Sequence, residues 1–83
     1  MSGQAGQVAR ALAELLEQMG HDAGYSVATL GVDAGIPSSR LFRVFAGEEV
    51  LTVDDFYRLA DTFDVAVGDL FMLAERQAHH NAR

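Results

Sequence analysis

The sequence predicts an all-α protein, one compact bundle of five helices, on three observations. Apolar residues recur three and four apart in most stretches, the spacing that lines one face of a helix. No stretch alternates convincingly with the period of two that a half-buried strand requires. Glycine, proline and hydroxyl residues fall between the apolar runs, where helix ends belong.

The first helix is expected over residues 8–19, with Val8, Leu12, Leu15, Leu16 and Met19 on one stripe and Gly20 ending it. After the loop HDAGY, Ser26 is placed to cap a short helix, VATLGVDA, that packs Val27, Leu30 and Ala34. Gly35 supplies a left-handed turn. Pro37 presets the backbone of the next first turn, so a third helix runs from Pro37 or Ser38 to Ala46, with Leu41 and Val44 inward and Gly47 closing it. Thr52 and Asp55 stand three apart like a capping box, opening a fourth helix to Phe63 with Phe56, Leu59, Ala60 and Phe63 as its stripe. The fifth starts near Val67 with Leu70, Phe71 and Leu73 apolar, and extends or frays through ERQAHHNAR. The expected layout is a flexible N-terminus over 1–7, a helical domain over 8–76 and a polar tail over 77–83.

Composition narrows the function. At 83 residues and 49% hydrophobic the chain holds one small core. It has no cysteine, hence neither disulfides nor thiolate metal sites, which suits a cytoplasmic protein. The N-terminal MSGQAGQ lacks both the basic start and the apolar stretch of a signal peptide, and no apolar run reaches the ~20 residues that span a bilayer, so no membrane association is expected. The net charge of −6 opposes general nucleic-acid coating, but it is unevenly spread. Residues 26–47 carry Arg40 and Arg43 against Asp33 alone, whereas residues 48–75 carry Arg58 against eight acids. The chain has no lysine, reflecting either selection for the planar forks of arginine or GC-rich coding.

Catalytic and metal chemistry find no motif, so neither enzyme nor cofactor is expected. His79 and His80 adjoin and would point apart on a helix, and His21 is distant in sequence. Asp54, Asp55, Asp61 and Asp64 read as a solvated acidic face rather than a catalytic pair. Phosphate-binding glycine loops and nucleophile motifs are absent from the sequence.

Two short helices joined by a glycine turn inside a bundle are the parts of a helix-turn-helix. The stretch SVATLGVDAGIPSSRLFRVFAGEEVLTVDDFYRLADTFDVAVGDLF, residues 26–71, resembles the Cro and lambda-repressor family, also called the XRE family. The resemblance rests on Ser26, Leu30, Gly35, Ile36, Leu41, Val44 and Gly47, then Leu59, Ala60, Phe63, Val65 and Leu70. It implies a lambda-repressor-like fold and a recognition helix, about 38–46, in the major groove of double-stranded DNA.

Carried over by position, the resemblance implies that Ser38, Ser39 and Arg43 face bases, that Arg40 lies toward a flank or phosphate, and that Phe42 shares the DNA-facing helix. Arg43 can give two parallel hydrogen bonds to guanine, and the free N–H groups at the helix start and near Ser26 can hold phosphates. A single such motif reads few base pairs, so a homodimer on two half-sites is implied. Phe71 and Met72 on the last helix are the candidate dimer surface.

The chain also departs from the family. Glu48 and Glu49 stand where basic or polar residues usually touch the DNA backbone, opposing phosphate. Phe42 and Phe45 replace polar side chains, marking either an interface or packing beneath the first helix. Gly31 replaces a usual alanine and Ala66 a usual capping residue, which predicts soft ends there. Two functional expectations follow. One is a DNA-binding transcriptional regulator, phage or prophage repressor-like or antitoxin-like. The alternative is a protein-interaction module whose Phe42, Phe45, Glu48 and Glu49 meet a basic protein partner.

Overall fold

Five helices in a computed structural model account for most of residues 3–81, the part of the chain that it describes: α1 (Gly3–Asp22), α2 (Val27–Ala34), α3 (Ser38–Phe45), α4 (Val53–Thr62) and α5 (Val67–Asn81). No strand occurs among these residues. The protein is an all-α bundle with a Cα radius of gyration of 12.1 Å. Among the described residues no helix is long and apolar enough to cross a membrane.

One core serves every element. Leu16 from α1, Leu30 from α2, Leu41 and Val44 from α3, Leu59 from α4 and Leu70 from α5 are its largest fully buried side chains. At roughly 1.5–3 kcal/mol for each large side chain removed from water, these residues hold the five amphipathic faces together. Helices α1 and α5 pack on each other, α2 packs on both α3 and α4, and α1 also meets α3.

Helix ends differ from expectation at α1, which starts at Gly3 instead of residue 8 and runs past Gly20 to Asp22. Gly20 is a packing residue: a methyl there would stand 3.2 Å from Leu30 Cδ2 and 3.7 Å from Phe63. The stop is Gly24, at φ 86°. Around it the Tyr25 N–H bonds the Gly20 carbonyl at 2.9 Å and the Gly24 N–H bonds that of His21 at 3.0 Å, the paired bonds of a Schellman closure. The same two bonds recur after α2 at Gly35, after α3 at Gly47 and after α4 at Asp64, which holds φ 57° without being glycine.

The starts of α2 and α4 follow the sequence. Ser26 and Thr29 form a full capping box, and so do Thr52 and Asp55. Gly31, expected to soften α2, is also a packing residue: a methyl there would lie 2.6 Å from the Ile36 carbonyl oxygen and 3.3 Å from the Ser38 nitrogen. The missing side chain therefore lets α2 lie directly on the turn and on the start of α3.

In α5 the buried stripe is Leu70, Ala74 and Ala78, four apart, whereas Phe71 and Leu73, expected among the apolar set, are each 45% exposed. Alanines admit the close approach of α1. The expected tail also changes character, because helix continues to Asn81 and Ala78 is buried. The outermost parts of the two expected termini, residues 1–2 and 82–83, lie outside the described residues.

Candidate nucleic-acid interface

Helix α3 is fixed from behind and open in front. Leu41, Val44 and Phe45 enter the core, and Ser39, Phe42 and Arg43 project to solvent at i, i+3 and i+4, the spacing of one helical face. Pro37 precedes its first turn with φ −55° and ψ 132°, and no side chain caps it. The N–H groups of Arg40 and Leu41 turn back to the Pro37 carbonyl at 3.0 and 3.1 Å, so those that remain uncommitted at this end belong to Ser38 and Ser39. Ser38 is half-buried and Ser39 exposed.

The two arginines of α3 have different surroundings. Arg40 Nη2 lies 2.8 Å from Asp55 Oδ2, and its Nε is 3.7 Å from Glu49 Oε2. That Nε is buried without a hydrogen-bond partner. Asp55 is itself only 7% exposed and belongs to the α4 capping box, so Arg40 ties α3 to the first turn of α4. Its partners among the described residues are these two carboxylates. Arg43 lies farther out, half-exposed, and its Nε donates to Glu49 Oε1 at 2.8 Å.

The two glutamates after α3 also part company. Glu49 is half-buried between both guanidinium groups, while Glu48 is exposed and, among the described residues, has no ion pair. Sequence reasoning read both acids as charges opposing DNA and missed that Glu49 and Asp55 are the arginines' partners. The available signal was the acid-rich stretch beginning immediately after α3, but the pairing crosses from helix to loop to helix and leaves no local pattern.

The remaining candidates fall in separate places. At Ser26 the hydroxyl accepts from the Thr29 N–H at 3.1 Å and its own N–H is taken by Thr29 Oγ1 at 2.9 Å, which leaves the side chain occupied as a cap. Phe45, named as an interface candidate, is 9% exposed and belongs to the core, so packing is its role. Phe42 is 59% exposed. Phe71 lines an open apolar groove of about 600 Å³ between α1, α4 and α5, together with Leu12, Val53 and Phe56, and Met72 beside it on the chain is 54% exposed. Phe42 is not part of that groove.

Elsewhere, the Tyr25 hydroxyl donates to Asp33 Oδ2 at 2.9 Å, and its ring meets Phe63 edge-on with centroids 6.1 Å apart. That hydrogen bond first, then burial and the carboxylate's charge, hold the Tyr25 phenol above its ordinary pKa. Among the described residues no three His, Asp or Glu side chains gather as a metal site would require. No family model, curated protein or solved structure matches the chain.

Proposed function

We propose that this chain is a sequence-specific double-stranded DNA-binding regulator, a small cytoplasmic repressor of phage, prophage or antitoxin type, with α3 in the major groove. The observation that carries this reading is the outward face of α3. Ser39, Phe42 and Arg43 share that face on a helix whose other side is pinned by Leu41, Val44 and Phe45. A rigidly backed short helix presenting one cation and one apolar ring matches the chemistry of base edges: arginine pairs with guanine O6 and N7, and an apolar group touches the thymine methyl.

The Glu49 contact does not remove Arg43 from use, because a half-exposed ion pair contributes only about 0–1 kcal/mol. A well-placed bidentate guanine contact discriminates by about 1–3 kcal/mol. Two copies on half-sites about 34 Å apart would give a useful affinity, and Phe71 and Met72 are the side chains offered for pairing.

The test is fluorescence anisotropy of duplexes of random sequence beside duplexes from the DNA upstream of the coding region, at low and raised salt. The expected result is tighter binding to the upstream DNA that weakens steeply with salt. A folded protein that binds neither duplex at low salt refutes the reading.

A second reading, a module that docks on a basic protein, has its own observation. Phe42 and Glu48 are both exposed, Glu48 has no ion pair among the described residues, and the clamp on Arg40 leaves α3 one outward cation. The substitutions separate the two readings: Arg43→Ala relaxes one base position if DNA is the target, whereas Phe42→Ala weakens binding more than Arg43→Ala if a protein is.

A further inference from the structure

We propose that Glu49 is a positioning residue that aims Arg43 and so helps set base specificity; this rests on the DNA-binding reading above. A run of contacts starts in the α4 capping box, where the Asp55 N–H donates to Thr52 Oγ1 at 3.1 Å. Asp55 Oδ2 holds Arg40 Nη2 at 2.8 Å, and Arg40 Nε stands 3.7 Å from Glu49 Oε2. The other oxygen of Glu49 accepts from Arg43 Nε at 2.8 Å. The Asp55–Arg40 link is a close ion pair and the Arg40–Glu49 link a looser charge contact at 3.7 Å, so the Glu49 carboxylate is held by charge beside a helix start as well as by its loop.

The atom chosen on Arg43 matters. A guanidinium presents a side edge, made by Nε with one Nη, and an outer edge made by the two Nη groups. Among the described residues the hydrogen bond to Arg43 falls on Nε. That occupies the side edge and leaves the outer edge, whose two parallel donors match guanine O6 and N7. Holding Nε also restricts the long side chain before DNA arrives, so less rotamer freedom is lost on contact. Because two arginines flank Glu49, its negative charge is compensated within the protein. Glu48, exposed and unpaired among the described residues, is the acid that opposes phosphate.

The experiment is selection from a library of randomised duplexes, with the bound fraction sequenced, for the wild type and for Glu49→Ala, Glu49→Gln and Glu48→Gln. Each variant's fold is first verified by circular dichroism. The wild type is expected to select guanine at one position of each half-site. Glu49→Ala should lower that preference on the order of tenfold even though it makes the protein less acidic. Glu49→Gln keeps an acceptor for Nε and should retain most of the preference, and Glu48→Gln should strengthen binding to all duplexes without changing it.

If Glu49→Ala merely strengthens binding to every duplex, as Glu48→Gln does, Glu49 is an opposing charge and the proposal falls. In the free protein, the Arg43 Nε–H nuclear magnetic resonance signal should be slow to exchange in the wild type and in Glu49→Gln, and fast in Glu49→Ala. Equal exchange in all three also overturns it. A wild type that selects no sequence refutes the DNA-binding reading itself and the proposal with it, an outcome distinct from a selective wild type whose preference survives Glu49→Ala.

Discussion

Arg40 and Arg43 lie three residues apart in the sequence yet do different work, and burial is what separates them. Arg40 compensates a carboxylate that is 7% exposed, so its loss strands a nearly buried charge. We expect Arg40→Ala to cost about 2 kcal/mol in urea denaturation and Arg43→Ala less than about 1, since the Arg43 pair is half-exposed. Equal losses would mean that the Asp55 contact is no firmer than a surface pair. Tyr25 provides a second test at this scale. Its phenol is held above the ordinary pKa, so the folded state keeps that proton more tightly than the unfolded chain. The contribution is complete below a pH of about 10 and disappears as pH rises through the raised value. Ultraviolet titration of phenolate should show the Tyr25 midpoint falling in Asp33→Ala. A midpoint that stays put would remove Asp33 as the cause.

Helix ends were more legible than helix partners, and the exceptions have physical reasons. The capping signals at Ser26 and Thr52 work within one turn, so their residues are visible side by side in sequence. Gly20 was misread because a glycine that ends a helix and a glycine that admits a neighbour look alike in sequence; only the approach of Leu30 and Phe63 tells them apart. The α5 stripe was misread toward the larger side chains, although the close α1 contact calls for alanines at 74 and 78. The end of α4 is the element with unused stability. Asp64 sits in the left-handed region at a cost of about 1 kcal/mol that glycine avoids. Asp64→Gly should therefore raise the melting temperature by about 4–8 °C per kcal/mol recovered, measured by circular dichroism, and Gly24→Ala should lower it. An unchanged or lower melting temperature in Asp64→Gly would indicate that the aspartate gains locally what its backbone loses.

For the whole molecule, charge is distributed as two regimes. The formal −6 suggests that nucleic acid is repelled, but Glu49 and Asp55 are turned inward onto arginines, so net charge overstates the acid facing outward from α3. Composition cannot reveal this, because it does not say which acids are paired. The bundle also depends on elements from both ends of the described chain: Ala11, Leu12 and Leu16 of α1 and Leu70, Ala74 and Ala78 of α5 are buried together in one core. A truncated chain of residues 1–66, which lacks α5, should lose cooperative thermal unfolding in circular dichroism. Retained cooperativity would make α5 an accessory to a four-helix core. The pairing of α1 with α5 has a consequence during synthesis. The apolar face of α1 leaves the ribosome well before its cover is made, and at about 5–20 residues per second the wait for α5 lasts several seconds. For that interval the apolar face of α1 lacks its cover, so slower translation of α5 is expected to leave more of the nascent chain open to proteases and chaperones.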